Sequence, residues 1–376
     1  MTTPDIRGRT ARIAMVAALV LTGLLTSSWA AHADVRPPDA SQTAPQTPGG
    51  QGGREGPPDI DIWDSPDAVA VSPDHRWAYV NSTSEGAISV IDLSKHALAK
   101  VIHLGRLADP QGVAFSRDGR LAFVPDEGTD SVSVIDVAHQ EVTQTVGHVG
   151  SRPVAVAVGG SGDDQVLVAN LGDDTVSIFP APTDPSQAPQ IRRVHLADFP
   201  EPQAVVATGS AKAYVASTYD GRIDVLDISK AAVTGRLVRP DHNPTSAATI
   251  APNGQTAVLT GPGSTALLDV GKDTFRTVEA LEPGNSSGAA VTSDSRYALV
   301  VNQGAPESYQ QGTMAVIDLS TGAVVRKVGA GTTPSAVAVV PASAGSDDAL
   351  VTTGPENNGS FHLIVIPATL WDESGG

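Results

Sequence analysis

Two sets of side chains in this sequence are of the types that could do chemistry. Just ahead of a recurring proline or its equivalent stand Ser65, Asp109, Arg152, Glu201, Asn243, Ser286 and Thr333, with His242 beside Asn243. The second set, Asn81, Asp126, Glu127, Asn170, Tyr219, Asn302 and Asn357, follows short apolar runs. From these, Asp109, Arg152, Glu201, His242, Asn81, Asp126, Asn170 and Asn302 are the candidates for contacting a polar ligand. Hard oxygen donors close in sequence, as in Asp126-Glu-Gly-Thr-Asp130 and Gly172-Asp-Asp174, are the kind that calcium or magnesium takes. Asp126, Glu127 and Asp130 are therefore the weak metal candidates, and no cofactor is otherwise expected. The nine histidines recur at no common spacing, which argues against a zinc or iron centre. Gly159-Gly-Ser-Gly162 lacks the Gly-x-Ser-x-Gly arrangement of a nucleophile elbow. There is no cysteine, which excludes disulfides, thiolate metal sites, covalent haem attachment and a lipidated cysteine.

The elements that must position these residues are repeats. Each begins with a proline and a short apolar run: Pro66-Asp-Ala-Val-Ala-Val, Pro110-Gln-Gly-Val-Ala-Phe, Pro153-Val-Ala-Val, Pro202-Gln-Ala-Val, Pro244-Thr-Ser-Ala and Pro334-Ser-Ala-Val, with Ser287-Gly-Ala-Ala as a seventh. A second run follows, as in Trp77-Ala-Tyr-Val-Asn81. A third closes on aspartate, as in Ile88-Ser-Val-Ile-Asp92, or on Pro180 or Pro367, and most copies add a fourth. Copies recur every ~42 to 49 residues, the spacing of blade repeats. Strands at this spacing, bounded by turn residues, predict an all-β fold: a seven-bladed β-propeller of four-stranded antiparallel blades. First strands rich in Ala and Gly suit the crowded axis. Asp92, Asp136, Asp227, Asp269 and Asp318 are expected to accept N–H groups of the turns they begin. The seventh copy has no fourth strand, so Asp59-Ile-Asp-Ile-Trp63 is expected to complete the last blade and close the ring.

The Ala-Tyr-Val-Asn, Ser-Val-Ile-Asp and Val-Ala-Val-Ser-Pro-Asp phrases in successive strands resemble the YVTN repeat of YncE-like propellers, over essentially residues 59–370. The resemblance implies an exported or surface-layer protein and supplies no mechanism, because the fold is shared with binding modules, lactonases and lyases. Pro180, Pro367 and Ser287 depart from the pattern and mark irregular blades.

Arg7, Arg9 and Arg12, an apolar run from Ile13 to Leu25, and Ala31-His-Ala33 have the order of a Sec-type signal peptide over residues 1–33, cleaved after Ala33. That run is shorter than the ~20 residues of a spanning helix, so the mature chain is expected to have no membrane span. Residues 34–58, rich in Pro, Gly and Gln, read as a disordered linker, and 371–376 as a tail. The net charge is −17. Without residues 1–33, 21 basic side chains face 40 acidic ones, a net of −19. Such a body repels nucleic acid. The sequence thus predicts a monomeric, secreted or cell-envelope binding module for an unidentified small molecule or extracellular protein. The other class is a metal-assisted lactonase- or lyase-type enzyme with its site at the channel mouth.

Overall fold

In the computed structural model the described residues are 59–62, 65–162, 164–197, 201–278, 284–303, 311–341, 347–355 and 360–371. The expected signal peptide and linker, together with Trp63 and Asn357, lie outside them. The described residues form seven four-stranded antiparallel sheets, each a blade. Blade 1 comprises Val69–Val71, Trp77–Ser82, Ala87–Asp92 and Ala97–His103, and blade 2 Ala114–Phe115, Leu121–Asp126, Ser131–Asp136 and Glu141–Gly147. Blade 3 comprises Pro153–Gly159, Gln165–Asn170, Thr175–Pro180 and Arg192–His195. Blade 4 comprises Pro202–Ala207, Lys212–Ser217, Arg222–Asp227 and Ala232–Val238. Blades 5 and 6 repeat the order from Ala247–Ile250 to Thr274–Thr277 and from Ser286–Val291 to Val324–Thr332.

Blade 7 holds Ala336–Pro341, Asp347–Thr353 and Phe361–Ile366, and its outer strand is the N-terminal Ile60–Ile62. Ile60 pairs with Leu363, Asp61 with His362 and Ile62 with Phe361, the closure expected from the missing fourth strand. Trp371, placed in the tail by the sequence reading, is only 2% exposed and packs among Leu299, Val351 and Ile366. Its indole N–H donates to the Ile366 carbonyl at 3.4 Å, so the folded body extends at least to this residue.

The core is divided into seven apolar clusters, one between each pair of neighbouring blades. Second and third strands feed two clusters at once: Ala122 and Val124 pack toward blade 1, and Phe123 packs toward blade 3. Burial on both faces explains why these strands read as continuous apolar runs without alternation. Polar latches add to the packing. Asn81 Nδ2 donates to Pro110 O at 2.6 Å, Ser287 Oγ to Pro334 O at 2.9 Å, and Ser335 Oγ to Pro66 O across the closure.

The turn aspartates act as expected. Asp92 Oδ1 accepts from Ser94 N and Lys95 N at 3.0 and 3.2 Å, and the Asp136, Asp227, Asp269 and Asp318 carboxylates cap their turns likewise. Lys95 and Ser94 hold the Asp92 carboxyl down at about 2. Long outer strands are bulged: Ala99, Thr143, Thr234 and Val325 are each extra residues against an unbroken partner. The outer strands of blades 3, 5 and 7 are only four, four and three residues long.

Candidate functional site

At one end of the channel, the loop leading into each first strand meets the loop joining the second and third strands. Backbone makes the contact. The carbonyls of Asp109, Arg152 and Glu201 accept from the N–H groups of Glu127, Leu171 and Thr218 at 3.1, 2.9 and 3.2 Å, and Ser65 and Thr333 do the same for Thr83 and Gly354. To aim its carbonyl this way the leading residue turns left-handed, with φ of +54° at Ser65, +51° at Asp109, +52° at Arg152, +42° at Glu201 and +38° at Thr333; His242 is at +53°. Non-glycine residues rarely adopt this region, and a following proline favours extended backbone instead. The strain is of the order of 1–3 kcal/mol per residue. The hydrogen bond closing each loop pair offsets part of it. The side chains at the mouth therefore project from fixed backbone.

Charged groups gather where blades 1 to 3 meet. Arg152 Nε lies 2.7 Å from Glu127 Oε1, its backbone N–H donates to Asp130 Oδ1 at 2.8 Å, and Gln111 Nε2 donates to Asp109 Oδ1 at 3.0 Å. Loss of solvent, then the nearby charge of Glu127, raises the Asp109 carboxyl. Asp67, exposed as a residue, stands close enough to Asp109 to feel its charge. Desolvation raises its carboxyl as well, with the charge of Asp109 as second cause. Two carboxylates near the channel thus resist ionising together.

Blade 4 contributes a separate group. Glu201 N donates to Asp174 Oδ1 at 2.9 Å, and the Glu201 carboxylate beside the Tyr219 hydroxyl raises the phenol above its ordinary range. In the loop leading into blade 5, Arg239 is fully buried and grips Asp241 with Nε and Nη2 at 3.1 and 2.8 Å. It also donates to Thr245 Oγ1 and Ser264 Oγ at 3.1 and 2.7 Å, which fixes the loop that carries the exposed His242.

The second set of expected ligand contacts divides. Glu127 and Tyr219 reach the mouth, whereas Asn81, Asp126, Asn170 and Asn302, at or next to the ends of their second strands, are buried. Asn81 Oδ1 accepts from the N–H groups of Asp67 and Ala68 at 3.1 and 2.6 Å. Asn170 Nδ2 donates to Val149 O at 3.1 Å and Thr175 Oγ1 at 2.9 Å. These amides tie loops to blades and leave no free surface for a ligand. Asp126 Oδ2 accepts from Ser133 Oγ at 2.6 Å while Oδ1 has no partner among the described residues, and burial pushes the carboxyl up to about 6. The expected oxygen cluster is also dispersed: Asp126 turns to Ser133, Glu127 to Arg152 Nε, and Asp130 to the Arg152 N–H. Among the described residues no three acidic or histidine side chains form a metal-holding group.

Asp67 and Arg239 are the members that sequence reasoning missed. Asp67 had a signal, since it stands directly after the repeated proline where blades 2 and 4 have Gln111 and Gln203. On the opposite face, a cleft of about 620 Å³ lies between the Ser116–Leu121 turn and the Pro180–Pro189 segment. Arg117 closes it by binding Asp164 and the Gly162 carbonyl. Its carboxylates are largely consumed in such contacts, so we place the candidate site at the mouth.

No family profile matches the chain, and no curated protein matches it in sequence. Solved structures do match. A Kuenenia stuttgartiensis hydrazine synthase chain superposes with a TM-score of 0.68 at 16% identity, over 84% of this chain and 99% of that one. The Myceliophteria thermophila Cps50 (Swd1) β-propeller domain gives 0.65 at 12% identity, over 81% and 98%. The likeness is one of fold. At such identities it carries no activity across.

Proposed function

We propose that this protein is an exported propeller of the YVTN/YncE-like kind that binds its ligand at the channel mouth, outside the cell or at its surface. The observation that carries this reading is the distribution of side chains there. Blades 2 to 4 present Asp109, Glu127, Arg152, Glu201 and Tyr219 from fixed backbone, whereas Ser286, Thr333 and Ser65 stand at the starts of blades 6, 7 and 1. A few placed polar groups on a rigid scaffold are what selective binding requires. The test is a ligand screen by protein NMR, repeated on the Asp109→Asn, Glu127→Gln and Glu201→Gln variants. Hits should weaken in at least one variant whose fold is intact; hits indifferent to all three would place the site elsewhere. Export is checked by N-terminal sequencing of protein recovered outside the cell, expected to begin at Asp34, and an intact Met1 would overturn it.

The observation favouring a metal-assisted enzyme is the Asp67 and Asp109 pair, since raised carboxyls are suited to proton transfer or to compensation by a cation. Elemental analysis after dialysis decides: a stoichiometric divalent ion lost on Asp109→Asn would favour this reading. A metal-free protein whose melting does not respond to calcium or magnesium would count against it.

A further inference from the structure

Building on the mouth as ligand site, we propose that its blade 4 side is a cation subsite that takes a lysine or arginine side chain of a basic polypeptide. Tyr219 is 60% exposed, an aromatic ring left in solvent at the mouth. The Glu201 carboxylate stands beside its hydroxyl, and its backbone N–H donates to Ser217 Oγ at 3.3 Å, so the backbone that carries the ring is held. Glu201 is held in turn: its N–H binds Asp174, and its carbonyl accepts the Thr218 N–H and hydroxyl at 3.2 and 3.3 Å. A ring face with a carboxylate beside it attracts an ammonium or guanidinium group and repels an anion.

Two nearby cations are already engaged. Arg222 lies 3.6 Å from Asp220 and donates to Ala197 O at 2.9 Å, and Arg152 is held by Glu127. The negative charge of Glu201 and Asp174 is left to act on an incoming group. Charge complementarity then extends along the arc through the exposed Asp130 and Asp173, placed to meet further basic residues of the bound polypeptide. Leu107, 77% exposed in the loop leading into blade 2, offers an apolar contact at the far end. Exposed apolar side chains among complementary charge are the makings of a protein-docking surface.

The test is titration of the purified protein with an Arg/Lys/Gly heptapeptide and with its Glu-substituted counterpart, at low and raised salt. The basic peptide should bind, more weakly as salt rises, and the acidic one should not. Tyr219→Ala and Glu201→Gln should each weaken binding about tenfold, whereas Tyr219→Phe, which keeps the ring face, should stay close to the parent. Asp184→Asn on the opposite face serves as the neutral control. Equal affinity in Tyr219→Ala, or preference for the acidic peptide, overturns the proposal. If the basic peptide fails to bind while small molecules still respond to Asp109→Asn, the subsite is wrong and the mouth reading stands. If no probe responds to any mouth substitution, both fail.

Discussion

Replacing Asp126 by asparagine should stabilise this protein, and the gain should depend on pH. The carboxyl is 2% exposed, receives Ser133 Oγ at 2.6 Å, and has an Oδ1 with no partner among the described residues. Burial moves it from 3.8 to about 6. Below about pH 4 it is protonated in both folded and unfolded chains and costs nothing. Between about 4 and 6 the unfolded chain ionises while the folded one keeps its proton, so stability falls as pH rises, and above about 6 the penalty is constant. A shift of about two units corresponds to roughly 3 kcal/mol at neutral pH, taken as an upper bound. Asparagine removes the ionisation, keeps an acceptor for Ser133, and occupies the strand end that Asn170 holds in blade 3. At about 2 °C per kcal/mol for a domain of this size, melting should rise by roughly 5 °C at pH 7.5 and by little at pH 4.5. Thermal melts of both proteins across this range give the comparison. An Asp126→Asn variant no more stable than the parent at pH 7.5, or a gap that ignores pH, would refute the reasoning.

Three further outcomes follow from side-chain contacts of the blades. Arg239→Ala strips Asp241 and Ser264 of their partner and should cost about 3–5 kcal/mol in denaturant unfolding. Asp273→Ala removes the acceptor that binds Tyr214 Oη at 2.6 Å and Lys212 Nζ at 3.0 Å. It should cost about 1–3 kcal/mol, because the Tyr214 hydroxyl keeps only the Val270 carbonyl. Trp371→Ala empties part of the blade 6–7 cluster and should cost about 3–5 kcal/mol, measured as a drop in unfolding midpoint; an unchanged midpoint would return the residue to the tail.

The architecture was legible because each blade repeats its punctuation: the leading proline, the aspartate that caps the third turn, and the apolar runs buried on both faces. The missing fourth strand of the last copy even located Ile60–Ile62. The site was less legible. Asn81 and Asn170 stand at or next to the ends of their strands, and in one dimension a polar residue after an apolar run reads as loop, although the register turns it inward to bind backbone. Arg239 was hidden because its partners Asp241 and Thr245 lie in an irregular loop and Ser264 begins a strand further along the chain. The difference between Glu127, which reaches the mouth, and Asp126, one residue earlier and buried, follows from strand direction, which composition does not record.

The irregular outer strands bear on how such a protein survives crowding. A propeller exposes seven sheet margins, and a long, flat margin is a template on which another chain can add a strand. Here the longer margins of blades 1, 2, 4 and 6 are interrupted by one surplus residue, and in two of them, Thr143 and Thr234, the hydroxyl bonds back to the neighbouring strand at 3.3 and 3.2 Å. The remaining margins are too short to seed a ladder. The molecule therefore resists fibril growth through backbone geometry. Deleting Ala99 or Thr143 would smooth a margin and remove that protection while leaving the blade core unchanged.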